Sequence, residues 1–135
     1  MEELPKETLL LLAYLYLRHS KHEKAMHLLL ALKRLYPEDA HVSRSLSYAY
    51  WSVGKYEPAL LQAEASLEPN MPFEHEFASK TLIFKSLWGM KREEEARKVM
   101  LELIEKKKAH KARKIEAEKK EEKWTQQLPK YRILY

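Results

Sequence analysis

The chain has 135 residues and a mass of 16.1 kDa, contains no cysteine and two glycines, and carries a formal net charge of +5. This length suits one compact domain and not a two-domain enzyme, and the lack of cysteine excludes disulfide frameworks, thiolate catalysis and cysteine-based zinc sites. So few glycines also argue against phosphate-binding loops and against an all-β fold with many tight turns.

The positive charge is concentrated late in the sequence. Residues 106–123 contain nine Lys or Arg and four Glu, whereas residues 1–105 have 14 basic and 16 acidic side chains, a net charge of −2. A nucleic-acid-binding body would carry its own positive field. We therefore interpret the basic stretch as a solvated helix, in preference to a nuclear-localisation or nucleic-acid-binding patch.

Apolar residues recur at helical spacing, as Leu9 and Leu12 do near the start, and do not alternate as they would in strands. Helix breaks are predicted at residues 37–39, 54–55 and 69–72, where proline, glycine and Asp or Asn occur. The pattern predicts an all-α fold. Its helices are expected at residues 6–19, 22–36, 39–53, 56–68 and 73–88 and from residue 92 onward.

The strongest apolar run, residues 9–17, is nine residues long and falls short of the roughly 20 needed to cross a bilayer. Three of the four charged residues before it are acidic, unlike the positive leader of a secretory signal. The sequence therefore predicts an untargeted, cytosolic protein without membrane insertion.

The last predicted helix outlasts its apolar stripe. Pro129 is expected to end it, leaving an apolar tail at residues 124–135 that we expect to dock on this protein or on a partner. The predicted organisation is a domain at 1–105, a charged helical extension at 106–123 and the tail.

An internal repeat aligns residues 20–25 with residues 54–59 and 91–96, each segment ending in an alanine. Two larger residues stand 13 and 9 positions before each alanine. These pairs are Leu12 and Tyr16 before Ala25, Leu46 and Tyr50 before Ala59, and Ile83 and Leu87 before Ala96. This pattern resembles the tetratricopeptide (TPR) repeat family, whose 34-residue unit is a helix-turn-helix. The resemblance implies three repeats in an α-solenoid; the alternative is another helical bundle with chance periodicity.

The resemblance also implies a concave groove lined by the first helix of each repeat. Its positions here are Leu10, Tyr14, Leu17, Arg44, Tyr48, Trp51, Thr81, Lys85 and Trp88. Such a lining suits an amphipathic or extended peptide. The alternative is that these side chains belong to the core or are covered by the protein's own tail. TPR domains that clamp a chaperone's C-terminal carboxylate use polar and basic residues where Leu10 and Tyr14 stand, so that activity is not predicted.

Residues 7–70 combine a leucine-rich first helix (residues 8–12) with His22-Glu23-Lys24-Ala25, Leu28-Leu29, Ala31-Leu32, Leu35 and Pro37-Glu38. In these features they resemble the small TPR chaperones of bacterial type III secretion, in particular the YscY/SctY type. The resemblance implies a cytosolic, non-catalytic protein that holds a small secreted protein or peptide segment in its groove and hands it to other export-apparatus proteins.

Two other functions stay open: a TPR scaffold joining two cytosolic proteins, and an RNA-associated helical protein using residues 106–132.

The sequence contains no recognisable enzyme motif. His19, His22 and Glu23 are close in sequence but lack the spacing of a zinc hydrolase, and residues 93–95 complement a helix dipole. We therefore predict no catalytic residue, no metal site and no cofactor, and nucleic acid is not favoured as a partner.

Overall fold

The computed structural model describes residues 4–131, with side chains to residue 127, and these residues form six α-helices. The helices are α1 (Lys6–Arg18), α2 (His22–Leu35), α3 (Ala40–Ser52), α4 (Tyr56–Ala65), α5 (Phe73–Gly89) and α6 (Glu93–Tyr131). The predicted all-α fold is confirmed, and the described part of the chain contains no strand. The largest difference among the first five helices is at α4, which ends at Ala65 and not at residue 68. There the Ser66 hydroxyl donates to the Ala63 carbonyl at 2.6 Å, a side-chain bond of the kind that competes with helix continuation.

The prediction that Pro129 ends the last helix is wrong, because α6 continues to Tyr131. A proline in the last turn removes one backbone hydrogen bond, and the residue that loses it, Thr125, is exposed to water. The predicted boundaries between the domain, the charged extension and the tail, at residues 105–106 and 123–124, both lie inside α6. No break in the helix marks them, and they stay predictions. The end of the tail lies outside the described residues, and its docking is likewise untested.

The chain divides into two units, residues 1–100 and residues 101–135. In the first, α2 packs against α1 and α3, and α4 packs against α3 and α5. In addition, α1 contacts α3 and α3 contacts α5. The helices α1, α3 and α5 therefore form one row, and α2 and α4 lie behind it.

Buried alanines lie where helices of this unit pack together. Ala25, Ala59 and Ala96, the three alanines of the sequence repeat, each have 0% exposed surface. The core consists of two clusters, in which larger apolar residues pack with alanines. One consists of Ala13, Leu29, Leu32, Val42, Leu46 and Ala49, and the other of Leu60, Ala63, Leu82, Ile83, Leu87 and Ala96. The small side chains of the buried alanines let helix backbones approach closely.

The turns after α1, α3 and α5 share one backbone geometry. A residue with left-handed φ is followed by one whose N–H donates to the carbonyl five positions earlier, as in a Schellman motif. The φ angles are 59° at Ser20, 80° at Gly54 and 61° at Lys91. The hydrogen bonds run from Lys21 to Tyr16 at 2.8 Å, from Lys55 to Tyr50 at 2.9 Å and from Arg92 to Leu87 at 3.0 Å. Three helix-turn-helix segments therefore reverse direction in the same way.

The start of α3 is fixed by Asp39, its N-cap. One carboxylate oxygen accepts from the Val42 N–H at 3.1 Å, and the other accepts from the Lys6 ammonium at the start of α1. The first and third helices are thereby joined through charge-assisted hydrogen bonds as well as through the core.

The described part of the second unit is the rest of α6. Nearly all of its side chains to residue 127 are exposed, and Glu102 and Lys106 form an ion pair at 3.3 Å. A helix covering residues 101–131 is roughly 45 Å long at 1.5 Å per residue. Charged pairs four positions apart stabilise such a solvated helix by a few tenths of a kcal/mol each.

The buried alanine of the first repeat segment provides a stability test. Ala25→Leu should lower the free energy of unfolding by about 1–3 kcal/mol, because the added methylenes overpack a fully buried position. Ala31→Leu on the exposed face of the same helix should change it by less than about 0.5 kcal/mol. Urea unfolding followed by circular dichroism measures both. Equal effects would contradict the close helix approach at Ala25.

The turn before α6 provides a second test. Lys91→Gly should raise the free energy of unfolding by about 0.5 kcal/mol, because glycine adopts the 61° φ without strain. Lys98→Gly, at an exposed position inside α6, should lower it by about 1 kcal/mol. If Lys91→Gly proved as destabilising as Lys98→Gly, the left-handed geometry at residue 91 would be refuted.

Candidate functional site

A cavity of about 550 Å³ lies along the row of α1, α3 and α5. It is lined by Tyr14, Leu17 and Arg18 of α1, by Arg44, Ser45 and Tyr48 of α3, and by Phe77, Ala78, Thr81, Leu82 and Lys85 of α5. Its volume is within the range of ligand-binding pockets, and most of its walls are apolar or aromatic.

The structure brings six of the nine predicted groove residues together around this cavity: Tyr14, Leu17, Arg44, Tyr48, Thr81 and Lys85. The other three lie elsewhere. Leu10 packs, partly buried, against the core cluster of the first three helices. Trp51 is half-buried beside Tyr48, with ring centroids 6.0 Å apart, and Trp88 is 51% exposed beside Phe84.

The prediction missed five lining residues: Arg18, Ser45, Phe77, Ala78 and Leu82. Their positions carried a signal, because residues three or four apart share a helix face. Arg18 is four positions after Tyr14, and Phe77 is four positions before Thr81. Ser45, Ala78 and Leu82 each stand three positions before a predicted residue, namely Tyr48, Thr81 and Lys85.

Arg44 is held in a fixed position at the cavity wall. Its Nε donates to the Ser79 hydroxyl oxygen at 2.9 Å, and its Nη1 lies 3.2 Å from Nδ1 of His41. Ser79 is fully buried, and its Oγ is 2.7 Å from the Oγ of Ser66. Burial lowers the pKa of Arg44, with Glu68 and Asp39 opposing it through their charge, and a guanidinium stays protonated despite such a shift.

Lys85 is positioned by an aromatic ring. Its ammonium nitrogen lies 4.7 Å from the centroid of Trp51, within the range of a cation–π interaction. Trp51 is outside the cavity lining but positions Lys85, which is part of the lining. The ring attracts the ammonium without neutralising its charge, as a carboxylate would.

The electrostatics of the cavity are one-sided. Arg18, Arg44 and Lys85 line it, and no Asp or Glu does so among the described residues. In the part of the chain with described side chains, none of these three cations has an ion-pair partner within 4.0 Å. The cavity therefore combines apolar walls with positive charge from three helices, and its lining contains no carboxylate among the described residues.

One of the two histidines near the first turn, His22, contacts another helix. Nδ1 of His22 lies 3.1 Å from the Ser52 hydroxyl, which joins α2 to the end of α3. Within residues 4–127, no three His, Asp or Glu side chains are grouped so that they could hold a metal ion.

Comparison of the chain with protein-family models, with curated proteins and with solved structures finds no match. None of the helices in the described residues combines the length and apolar character that a membrane span requires. Function must therefore be inferred from the cavity and its lining.

A double-mutant cycle tests how Arg44 is held. Arg44→Met combined with Ser79→Ala should show a coupling of about 1 kcal/mol in the free energy of unfolding, because the two share a charge-assisted hydrogen bond. Arg44→Met combined with Ser52→Ala should be additive within about 0.5 kcal/mol, since Ser52 bonds to other groups two turns along α3. Urea unfolding of the single and double variants gives both values. Additivity of the first pair would exclude the Arg44–Ser79 bond.

Proposed function

We propose that this protein is a non-catalytic, TPR-type chaperone that holds a secreted protein or peptide segment in the cavity along α1, α3 and α5. The observation that carries the proposal is this cavity, whose lining comes from three helices that each open a helix-turn-helix segment. The matching turns and the fully buried alanines of the three segments support a repeat origin.

Binding in the cavity relies on burial of apolar surface. Tyr14 and Tyr48 are 54% and 42% exposed, so a bound segment can cover their rings. At roughly 25 cal/mol per Å² of apolar surface, coverage of such rings stabilises a complex without nucleotide hydrolysis. Tyrosine is also common in binding hot spots, because one end of its ring system is apolar and the other forms hydrogen bonds.

The secretion role is supported by the resemblance of residues 7–70 to the small chaperones of type III secretion. In that role the protein works in the cytoplasm, covers the apolar segment of an aggregation-prone partner and hands it to the export apparatus. Neither a cofactor nor a catalytic residue is needed, because holding and release are equilibrium binding steps.

A second candidate is a TPR adaptor that joins two cytosolic proteins. The observation that favours it is α6, whose residues 101–127 are rich in charge, mostly exposed and not among the residues that line the cavity. An adaptor would bind one protein at each surface. A chaperone would require the cavity alone for its secreted partner.

The test is co-expression with small secreted proteins encoded beside the gene, with the complexes analysed by size-exclusion chromatography and light scattering. The wild-type protein should form a 1:1 complex with one of them. Tyr48→Glu should weaken it at least tenfold, because it places a carboxylate in the apolar cavity wall. The matched control, Leu61→Glu, changes a 61% exposed leucine on α4 outside the cavity lining and should bind normally.

Circular dichroism should show unchanged helicity for both variants. Normal binding by Tyr48→Glu would place the interface elsewhere. A stable complex with two cytosolic proteins at once, and none with a secreted protein, would favour the adaptor.

A further inference from the structure

We propose that the cavity selects an acidic amphipathic segment, in which apolar side chains cover the tyrosine-lined walls and Asp or Glu carboxylates pair with Arg18, Arg44 and Lys85. This proposal specifies the charge of the bound segment. It rests on the proposed function, because it assumes that a peptide segment occupies the cavity.

The first argument is charge complementarity. Each of the three helices contributes one cation to the lining, and among the described residues no carboxylate lies in the lining. A ligand that covers the cavity removes water from these cations, and a partly desolvated cation is costly unless an anion pairs with it. A neutral apolar segment would leave that cost uncompensated, whereas an acidic one offsets it.

The second argument is the orientation of Arg44. The bond to Ser79 engages Nε, and His41 lies beside Nη1, so that Nη2 has no hydrogen-bond partner among the described residues. A guanidinium fixed in this way presents a donor whose direction is set before the ligand arrives. Preorganisation of a donor reduces the entropy that binding costs.

The third argument is the placement of Lys85. Its ammonium lies over the Trp51 ring, which attracts the charge but supplies no oxygen acceptor. An ammonium has three N–H donors, so Lys85 can hold this position and donate to a carboxylate at the same time. The arrangement keeps the cation at the cavity wall, where a bound acidic side chain can reach it.

The protein's own tail is a poor match to this charge. Residues 124–135 contain Lys130 and Arg132 and no acidic side chain, and residues 106–123 have a net charge of +5. Either segment would add positive charge to a lining that contains no carboxylate among the described residues. An acidic segment of another protein complements this lining better than either of them.

The width of the row sets the length of the segment. Neighbouring helix axes lie about 8–10 Å apart in packed helices, so three helices span roughly 16–20 Å between the outer axes. An extended chain rises about 3.3 Å per residue and crosses that distance in about six residues. A twelve-residue probe is long enough to cover the cavity and its rim.

The experiment uses the full-length protein and three fluorescent twelve-residue peptides that share their apolar residues and carry Glu, Gln or Lys at the same three positions. Fluorescence anisotropy measures the dissociation constants at about 50 and 300 mM salt. The Glu peptide should bind at least tenfold more tightly than the Gln peptide at low salt, and the Lys peptide least tightly. The Glu advantage should shrink at high salt because ions screen charge pairs.

Variants locate the charge selectivity. Lys85→Gln and Arg44→Gln should each weaken binding of the Glu peptide about fivefold. Neither should weaken binding of the Gln peptide, because a neutral side chain carries no charge that the peptide would desolvate. A merely structural role would weaken binding of both peptides. Arg34→Gln is the matched control, since Arg34 is exposed on α2 and outside the lining. It should leave both affinities unchanged.

Equal binding of the Glu and Gln peptides would overturn the acidic selectivity and leave the proposed function standing. Binding of none of the peptides, with a secreted partner still bound in co-expression, would also overturn it. A third measurement adds decanoate, a small carboxylate amphiphile, to the full-length protein. If decanoate bound but none of the peptides did, and no secreted partner bound in co-expression, both proposals would be overturned, because the cavity would then accept a small amphiphile and no protein segment.

Discussion

The structure depends on the close approach of helices at Ala25, Ala59 and Ala96. Each alanine has no exposed surface, so its small side chain sets the distance at which neighbouring helices pack. The three left-handed turns, each closed by a backbone bond of 2.8–3.0 Å, reverse the chain with the same backbone geometry. The contacts of α3 with α1 and α5 place these three helices in one row, and the cavity lies along that row.

Contacts with residues outside the cavity lining hold two of the cations that line the cavity. The Ser66–Ser79 pair lies buried between the end of α4 and the middle of α5, and it offers Arg44 an acceptor 2.9 Å from Nε. Trp51 holds the Lys85 ammonium through a cation–π interaction with its ring. Two cations are thereby held at an apolar surface without carboxylate partners among the described residues. An empty cavity in a hydrophobic core would not carry such charges.

The sequence predicted much of this site but not its composition in full. Repeat positions led to Tyr14, Tyr48 and Lys85, because residues at equivalent positions of stacked helices share a face. Trp51 and Trp88 occupy equivalent positions too, yet both rings lie against neighbouring aromatic side chains and not in the lining. Ring packing depends on the neighbours that the fold supplies, and periodicity does not contain that information.

The sequence by itself determined that there are six helices, the breaks between them to within a few residues, and the alanines that repeat, because these follow from local helix chemistry and from spacing within one helix or turn. It did not determine the ends of α4 and α6. Only the tertiary structure decided that Arg44 meets Ser79, 35 positions away, and that Arg18 shares a cavity with Lys85. Such pairs are created by the packing of separate helices. A side chain's partner across two helices depends on their crossing and register, which no stretch of local sequence encodes.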